Sequence, residues 1–183
     1  MEAVVWSDYL CPWCYVGRDR TALLRSLGVT VTVLPYELHP EVPAGGVPTT
    51  RRYAAVATEC EAVGMPFRPP TVLPNTRRAL STAEWVRRCR PESFDALHDA
   101  LFTAYFVDGL DIGDPDVLAS LADTDVDVEQ GSHWVEESMA RAREADVYAT
   151  PAWQFDTGAV IAGVQPRRSF ARVAARGGGE KVR

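Results

Sequence analysis

Cys11 and Cys14, which enclose Pro12 and Trp13 in the run "SDYLCPWCYVG", are the residues of this sequence best spaced to do chemistry. Two thiols one helical turn apart can close and reopen a disulfide if the first of them is a good nucleophile. Pro12 marks where that helix begins, because proline is tolerated at the first helical position, where its missing N–H would have no partner anyway. Cys11 then takes the N-cap, beside unsatisfied backbone N–H groups and the positive end of the helix dipole. Such a place stabilises a thiolate, and in Cys-X-X-Cys motifs the thiol pKa falls from about 8.5 to between roughly 3.5 and 7.5. Cys14, inside the first turn, is expected to be better shielded. The roles follow: Cys11 exchanges with an external disulfide, and Cys14 resolves the mixed disulfide.

Half of a zinc site is the other reading of such a pair, but a structural zinc wants a second pair of ligands at similar spacing. Cys60 and Cys89 are isolated, and His39, His98 and His133 show no ligand spacing, so neither a metal nor a bound cofactor is expected. Cys60 and Cys89 fall on apolar helix stripes and read as buried free thiols.

The elements around the pair form a βαβ unit. Residues 2–7, "EAVVWS", read as a buried strand. Residues 11–27 read as a helix with Val16, Leu23, Leu24 and Leu27 on one face and Gly28 as its stop. The alternating "VTVTVL" of residues 29–34 reads as a second strand, parallel to the first. Residues 40–48, "PEVPAGGVP", break the pattern, and from there to about residue 127 only helices are predicted. They cover about 49–63 (Tyr53, Val56, Cys60 and Val63 on a stripe, then Gly64), about 76–89, from Pro91 to Gly109, and from Pro115 behind the N-cap Asp114. A helix over 132–146 follows. Two short strands, 152–156 and 159–163, flank the turn Asp156-Thr157-Gly158, a helix starts near Arg167, and the tail "RGGGEKVR" is expected to fray. The four strands should form one sheet. The organisation expected is α/β: a discontinuous domain, 1–42 and 128–183, interrupted by a helical insertion, 43–127.

Bulk properties exclude some function classes. The chain has 183 residues, 46% hydrophobic, with a formal net charge of −6. A nucleic-acid binder would show a basic face. The pairs Arg51-Arg52, Arg77-Arg78, Arg87-Arg88 and Arg167-Arg168 read instead as solvated helix faces. No apolar run approaches the ~20 residues that span a bilayer, and the first strand begins almost at Met1. Neither a secretory leader nor a membrane partner is expected, and the protein reads as cytoplasmic, where structural disulfides are rare.

The motif "SDYLCPWCYVG" resembles the active-site turn of the DsbA family, particularly its FrnE-like branch, which is related to 2-hydroxychromene-2-carboxylate isomerases and kappa-class glutathione transferases. "PYELHPEVPAGG", "LFTAYFVDGLDIGDPDVLASLA" and "ATPAWQFDTGAVIAGVQP" fit the same pattern, so the resemblance covers most of the chain. It implies a thioredoxin-like fold with an inserted all-helical domain. It implies that Thr150-Pro151 is a cis-proline loop facing the redox pair, with the Thr150 backbone binding an extended substrate segment. Asn75 and Thr76 resemble a segment lining the family's cleft. Where many thioredoxin-like enzymes carry a buried carboxylate, six residues before the first Cys, this chain has Val5. Proton transfer to and from Cys14 then falls to water, Asp8 or Glu37, although Asp8 reads equally as a turn residue.

Among the remaining residues, Trp13, Tyr15 and Trp153 are candidates for an apolar substrate surface, with core packing the alternative for the last two. His98 shares a stripe with Leu97 and Leu101 and reads as a packed histidine. Arg18 and Arg20 read as a solvated helix face or as a local positive field. The function expected is a cytosolic thiol-disulfide oxidoreductase acting on protein or small-molecule disulfides. The alternative is a glutathione-dependent isomerase or transferase, with glutathione as co-substrate, acting on an aromatic or polyketide-like small molecule. Relatives of that kind have Ser in place of Cys11 and lack the second thiol, so the intact pair favours redox chemistry. A thioredoxin-like binding module with an idle disulfide is a third reading, weakened because the pair has no evident packing purpose. Relatives are often dimers, which adds a homodimer to the expected partners.

Overall fold

Both faces of the first strand are apolar, so it belongs in the middle of a sheet with a layer of helices on each side. In the computed structural model, which describes residues 1–178, β1 (Glu2–Ser7) lies between β2 (Thr30–Pro35), parallel to it, and β5 (Ala152–Phe155), antiparallel; β6 (Val160–Ala162) completes the order β2-β1-β5-β6. The helix α1 (Pro12–Ser26) makes the crossover from β1 to β2. Ala3 and Val5 of β1 share a buried cluster with Val16 and Leu24 of α1, Trp153 and Phe155 of β5, and Phe170 of α7 (Arg167–Gly178). On the opposite face Trp6, Leu34 and Ala152 bury against Ala142 of α6 (Val128–Glu144) and Val147.

Between β2 and α6 lie the inserted elements: β3 (Val47–Pro48), α2 (Ala54–Ala62), β4 (Val72–Leu73), α3 (Arg77–Cys89), α4 (Pro91–Thr103), and α5 (Pro115–Ala122). A π-helical turn, Ala104–Asp108, prolongs α4 and ends at Gly109 in the left-handed region (φ 73°). The insert is joined to the active-site turn by aromatic packing. Tyr9 meets Phe102 at a ring-centroid distance of 4.9 Å, and Tyr15 meets Phe106 at 5.1 Å. One buried cluster therefore runs from the sheet through α1 into the insert.

Several expectations need correction. The insert is helical except for a short antiparallel ladder, Val47↔Leu73 and Pro48↔Val72. Val47 and Leu73 each precede a proline, which disfavours helical backbone. α2 starts at Ala54, later than the expected 49, because Thr49 still extends the ladder, its N–H donating to the Thr71 carbonyl at 2.9 Å. By contrast, α6 starts earlier, at Val128, because Asp127 accepts the Gln130 N–H at 2.9 Å. Cys60 is buried but Cys89 is exposed, since it ends α3 beyond the covered stretch. The arginine pairs are not uniformly solvated: Arg77 bridges Glu37 and Glu136 at 2.5 and 2.6 Å, and Arg87 and Arg88 grip the buried Glu84. The predicted fraying of the tail beyond residue 178 lies outside the described residues. Among the described residues no helix is long and apolar enough to cross a membrane.

The approach of α6 to α3 is set by Gly131. A Cβ there would lie 2.2 Å from the Ser81 carbonyl oxygen, which is backbone and cannot swing away. Gly131→Ala is therefore expected to lower unfolding stability by about 1–3 kcal/mol, the usual cost of overpacking. Urea denaturation measures it, and an unchanged midpoint would contradict so close a crossing.

Candidate active site

The chain turns sharply between β1 and α1, and the turn is fixed by its own backbone. The Cys11 N–H donates to the Asp8 carbonyl at 3.1 Å, and the N–H groups of Cys14 and Tyr15 donate to the Cys11 carbonyl at 3.0 and 3.1 Å. Cys11 is extended at the N-cap (φ −82°, ψ 112°) with Pro12 following as the first helical residue. Its thiol makes no capping hydrogen bond to the first turn. Instead it points to the loop before β5, donating to the Thr150 carbonyl at 3.6 Å. The Thr150–Pro151 peptide is cis. The Thr150 hydroxyl is buried without a hydrogen-bond partner.

Both cysteines are free thiols, and both are buried, at 4% and 3% exposure. Shielding therefore does not distinguish them; electrostatics does. The Cys14 thiol donates to Cys11 and lowers the Cys11 pKa below its ordinary value against the opposing effect of burial. Burial pushes the Cys14 pKa well up, and the hydrogen bond it gives to Cys11 adds to the rise. The largest cause is the partner thiol, not the helix N-terminus expected from the motif. Trp13 stands out from the turn at 38% exposure. Tyr15 and Trp153, by contrast, are core residues. Trp153 Nε1 donates to Thr21 Oγ1 at 3.1 Å, and the Tyr15 hydroxyl donates to the Pro66 carbonyl.

Asp8 is fully buried. Its carboxylate accepts the Leu38 N–H at 2.8 Å and the Leu10 N–H at 3.3 Å, so the side chain does shape the turn. Burial nonetheless raises its pKa to about 6 against those bonds, and the charge of Glu37 adds to the rise. Glu37 itself is buried and paired with Arg77. Thr76 lies beside Asp8. Asn75 braces the same connection by donating to the Val42 carbonyl at 2.6 Å. Among the described residues no group of three or more His, Cys, Asp or Glu could hold a metal ion.

Arg18 and Arg20 are not a solvated face. Arg20 is buried and bonded to Asp19, Glu59 and the Gln165 carbonyl. Arg18 lies 4.5 Å over the Tyr15 ring and pairs with Asp99 at 2.8 Å. His98 is packed, as its stripe suggested, and its Nδ1 is 3.0 Å from the Tyr9 hydroxyl. Ser7 and His98, unmarked in the sequence as site residues, border a small cavity beside Cys14. A period-two count places Ser7 on the Val5 face of β1 and was the available signal; for His98 there was none, because α4 reaches the site through tertiary packing.

Two outcomes follow. At pH 7 iodoacetamide should modify Cys11 before Cys14 and before Cys60, whose thiol burial pushes up to about 11, with exposed Cys89 as the accessibility control. Mass spectrometry of timed samples reads this, and equal labelling of Cys11 and Cys14 would contradict the opposed shifts. For Asp8, a carboxyl with a raised folded-state pKa leaves stability intact below its ordinary value of 3.8 and removes it as pH climbs through about 6. Asp8→Asn should thus be more stable than wild type at pH 7 by up to about 3 kcal/mol, with the difference vanishing below pH ~4. Denaturation at both pH values measures it, and a pH-independent difference would sink the assignment.

The family model described as the DSBA-like thioredoxin domain matches residues 3–172. The uncharacterised protein YwbO of Bacillus subtilis is 26% identical over 126 residues, 65% of this chain and 63% of that protein, so the chain spans under two thirds of its length. Among solved structures, a probable DsbA oxidoreductase of Streptomyces coelicolor superposes with a TM-score of 0.85 at 22% identity, covering 100% of this chain and 92% of that one. The cytosolic disulfide reductase DsbM of Pseudomonas aeruginosa, with GSH, gives 0.70 at 14% identity (96% and 100%). A 2-hydroxychromene-2-carboxylate isomerase gives 0.69 at 15% identity (97% and 95%). The sheet order, the helical insertion after β2 and the family match over nearly the whole length agree: this chain belongs to the DSBA-like thioredoxin domain family.

Proposed function

We propose that this chain is a cytoplasmic thiol-disulfide oxidoreductase that exchanges with disulfides of proteins or small molecules through Cys11 and Cys14, without a bound cofactor. One observation carries the reading. The two thiols at the start of α1 lie against the Thr150–Pro151 loop with their pKa values driven apart, Cys11 down and Cys14 up. Such a pair has one sulfur ready to attack and one held in reserve as a thiol. Pro12 sets the turn, Trp13 offers an exposed apolar contact, and Thr150 with Pro151 receives an extended substrate segment beside Cys11. Asp8 is the proton relay for the charge that appears on Cys11, which its own charge opposes. Glu37, held by Arg77, acts on Asp8 by its charge. The likeness to a cytosolic disulfide reductase structure with GSH supports both the compartment and glutathione as a co-substrate.

The reaction requires Cys14 to release whatever Cys11 captures. Cys14→Ser should therefore accumulate a covalent adduct with a disulfide substrate and lose turnover in the absence of added thiol. Cys11→Ser should lose exchange altogether, because a hydroxyl is a far weaker nucleophile at neutral pH. Intact-mass measurement and a disulfide-reduction assay read both variants. Wild-type turnover by Cys14→Ser would overturn the dithiol mechanism, and glutathione-dependent turnover of an aromatic substrate by Cys11→Ser would favour the isomerase reading instead.

A further inference from the structure

Beside Cys14 the protein contains two small cavities that share a wall. The first, about 10 Å³, is bordered by Cys14 together with Val5, Ser7, Thr21, Arg18 and His98. The second, also about 10 Å³, is bordered by Tyr9 and Glu84 and again by Ser7, Val33 and His98. Each has about the volume of one water molecule, and each is edged by polar side chains able to hydrogen-bond it. Val33 lines both, so the common wall is one aliphatic and two polar side chains. Asp8, placed in the proposed function as the relay for Cys11, borders neither cavity, and Val5 on the first cavity's wall cannot accept a proton. His98 is the ring that reaches from the Cys14 side to the Glu84 side.

We propose that His98, with Ser7, relays the Cys14 proton through these two hydrated cavities. The proposal rests on the dithiol reading and deepens it. In the reductive direction Cys11 has formed a mixed disulfide with the substrate. The Cys14 S–H gives its proton to water in the first cavity. One nitrogen of His98 takes a proton from that water while the other gives one up to water in the second cavity, which hands it on to bulk solvent as the final acceptor, since Glu84 is already held by Arg87 and Arg88. The Cys14 thiolate then attacks Cys11 Sγ: the Cys11–Cys14 bond forms, the Cys11–substrate bond breaks, and the substrate thiolate leaves with the electron pair. Oxidation runs the same steps backward. A neutral imidazole holds one donor and one acceptor, which such a hand-over needs, and the Tyr9 hydroxyl at Nδ1 serves either tautomer.

His98 is kept neutral by burial, which lowers its pKa to about 3, with Arg18 and Arg25 of α1 adding to the effect. The other ionisable groups around it are Glu84 of α3, Tyr9 and Asp8 of the turn, and Asp95 and Asp99 of its own helix, paired with Arg25 and Arg18. His98 acts on Cys14 through water and is therefore a positioning residue for resolution. The initial attack by Cys11 does not pass through it.

The test is single-turnover reduction of a nitrobenzoate disulfide followed by stopped flow from pH 6 to 9. Attack by Cys11 releases one coloured thiolate and resolution by Cys14 releases the second, so the two steps are read separately. His98→Phe, which keeps an aromatic ring among Phe94, Tyr9 and Phe102, should leave the first phase within twofold of wild type. It should slow the second by roughly tenfold or more at pH 6–7, within the span of general acid–base effects. The defect should shrink as hydroxide takes over at higher pH. Ser7→Ala and Val33→Ile, which alter the shared wall without touching the ring, should slow the same phase, and they carry the test if His98→Phe does not fold. A second phase at the wild-type rate in the folded variants overturns the relay, as does equal slowing of both phases. If Cys14→Ser still shows the second phase, the dithiol reading itself falls, an outcome distinct from either.

Discussion

Two thiols buried against each other cannot both carry charge, and the rest of the site is arranged around that constraint. Desolvation penalises each thiolate, and a second one close by would add direct repulsion. The pair settles this by giving one sulfur the hydrogen bond of the other, which lowers Cys11 and raises Cys14. For this to hold, the two side chains must be fixed relative to each other and to the loop that covers them. The first turn of α1 fixes one distance through backbone bonds to the Cys11 carbonyl, and pairing of β5 with β1 in register brings Thr150 and Pro151 over the pair. A register shift of one residue in β5 would exchange the two faces of that strand and move Trp153 out of the core. The central sheet is thus the part that sets the electrostatics, and Trp153, bonded to Thr21 of α1, locks the helix to it.

The helical insertion reaches the thiols indirectly. Tyr9 and Tyr15 flank the Cys11–Cys14 turn, and both pack into rings supplied by α4 and the π-helical turn after it. Arg18, one turn farther along α1, lies over Tyr15 and Phe102 and pairs with Asp99. Each contact is modest by itself. Together they tie the active-site helix to α4, and they bring His98 of α4 to the edge of the cavity beside Cys14.

Local signals carried most of the fold. A short buried apolar run gave β1 and alternation gave β2, Pro12 and Gly28 bracketed α1, and Asp114 and Pro115 opened α5, because these are decisions made within a few residues. The boundaries that misled were those where a neighbour decides. Val47–Pro48 is a strand because Val72–Leu73 lies beside it, and Asp127 starts α6 four residues before its apolar pattern becomes visible. At the site, Cys11, Cys14 and Asp8 were legible because they are close in sequence. Arg20 and Cys89 were misassigned in opposite senses, since helical spacing alone does not report how far the covering elements extend. Arg20 is overlaid by the segments carrying Glu59 and Gln165, whereas Cys89 lies past the last covered turn.

Among the described residues three carboxylates are buried, Asp8, Glu37 and Glu84, and their partners differ. Glu84 is gripped by Arg87 and Arg88, and Glu37 by Arg77. A buried carboxylate held by guanidinium groups fixes geometry, and removing one partner of such a pair is costly, because it leaves the other buried without compensation. Asp8 is fully buried too, yet its partners are backbone amides, and its pKa is raised to about 6. A group so placed changes protonation near neutrality, and because its charge opposes that of Cys11, the two equilibria are coupled. A change of charge on Cys11 therefore shifts the proton affinity of Asp8 with it. Two of these buried carboxylates, on α3 and on the segment after β2, thus lie against arginine, whereas the third, near Cys11, is held by backbone amides.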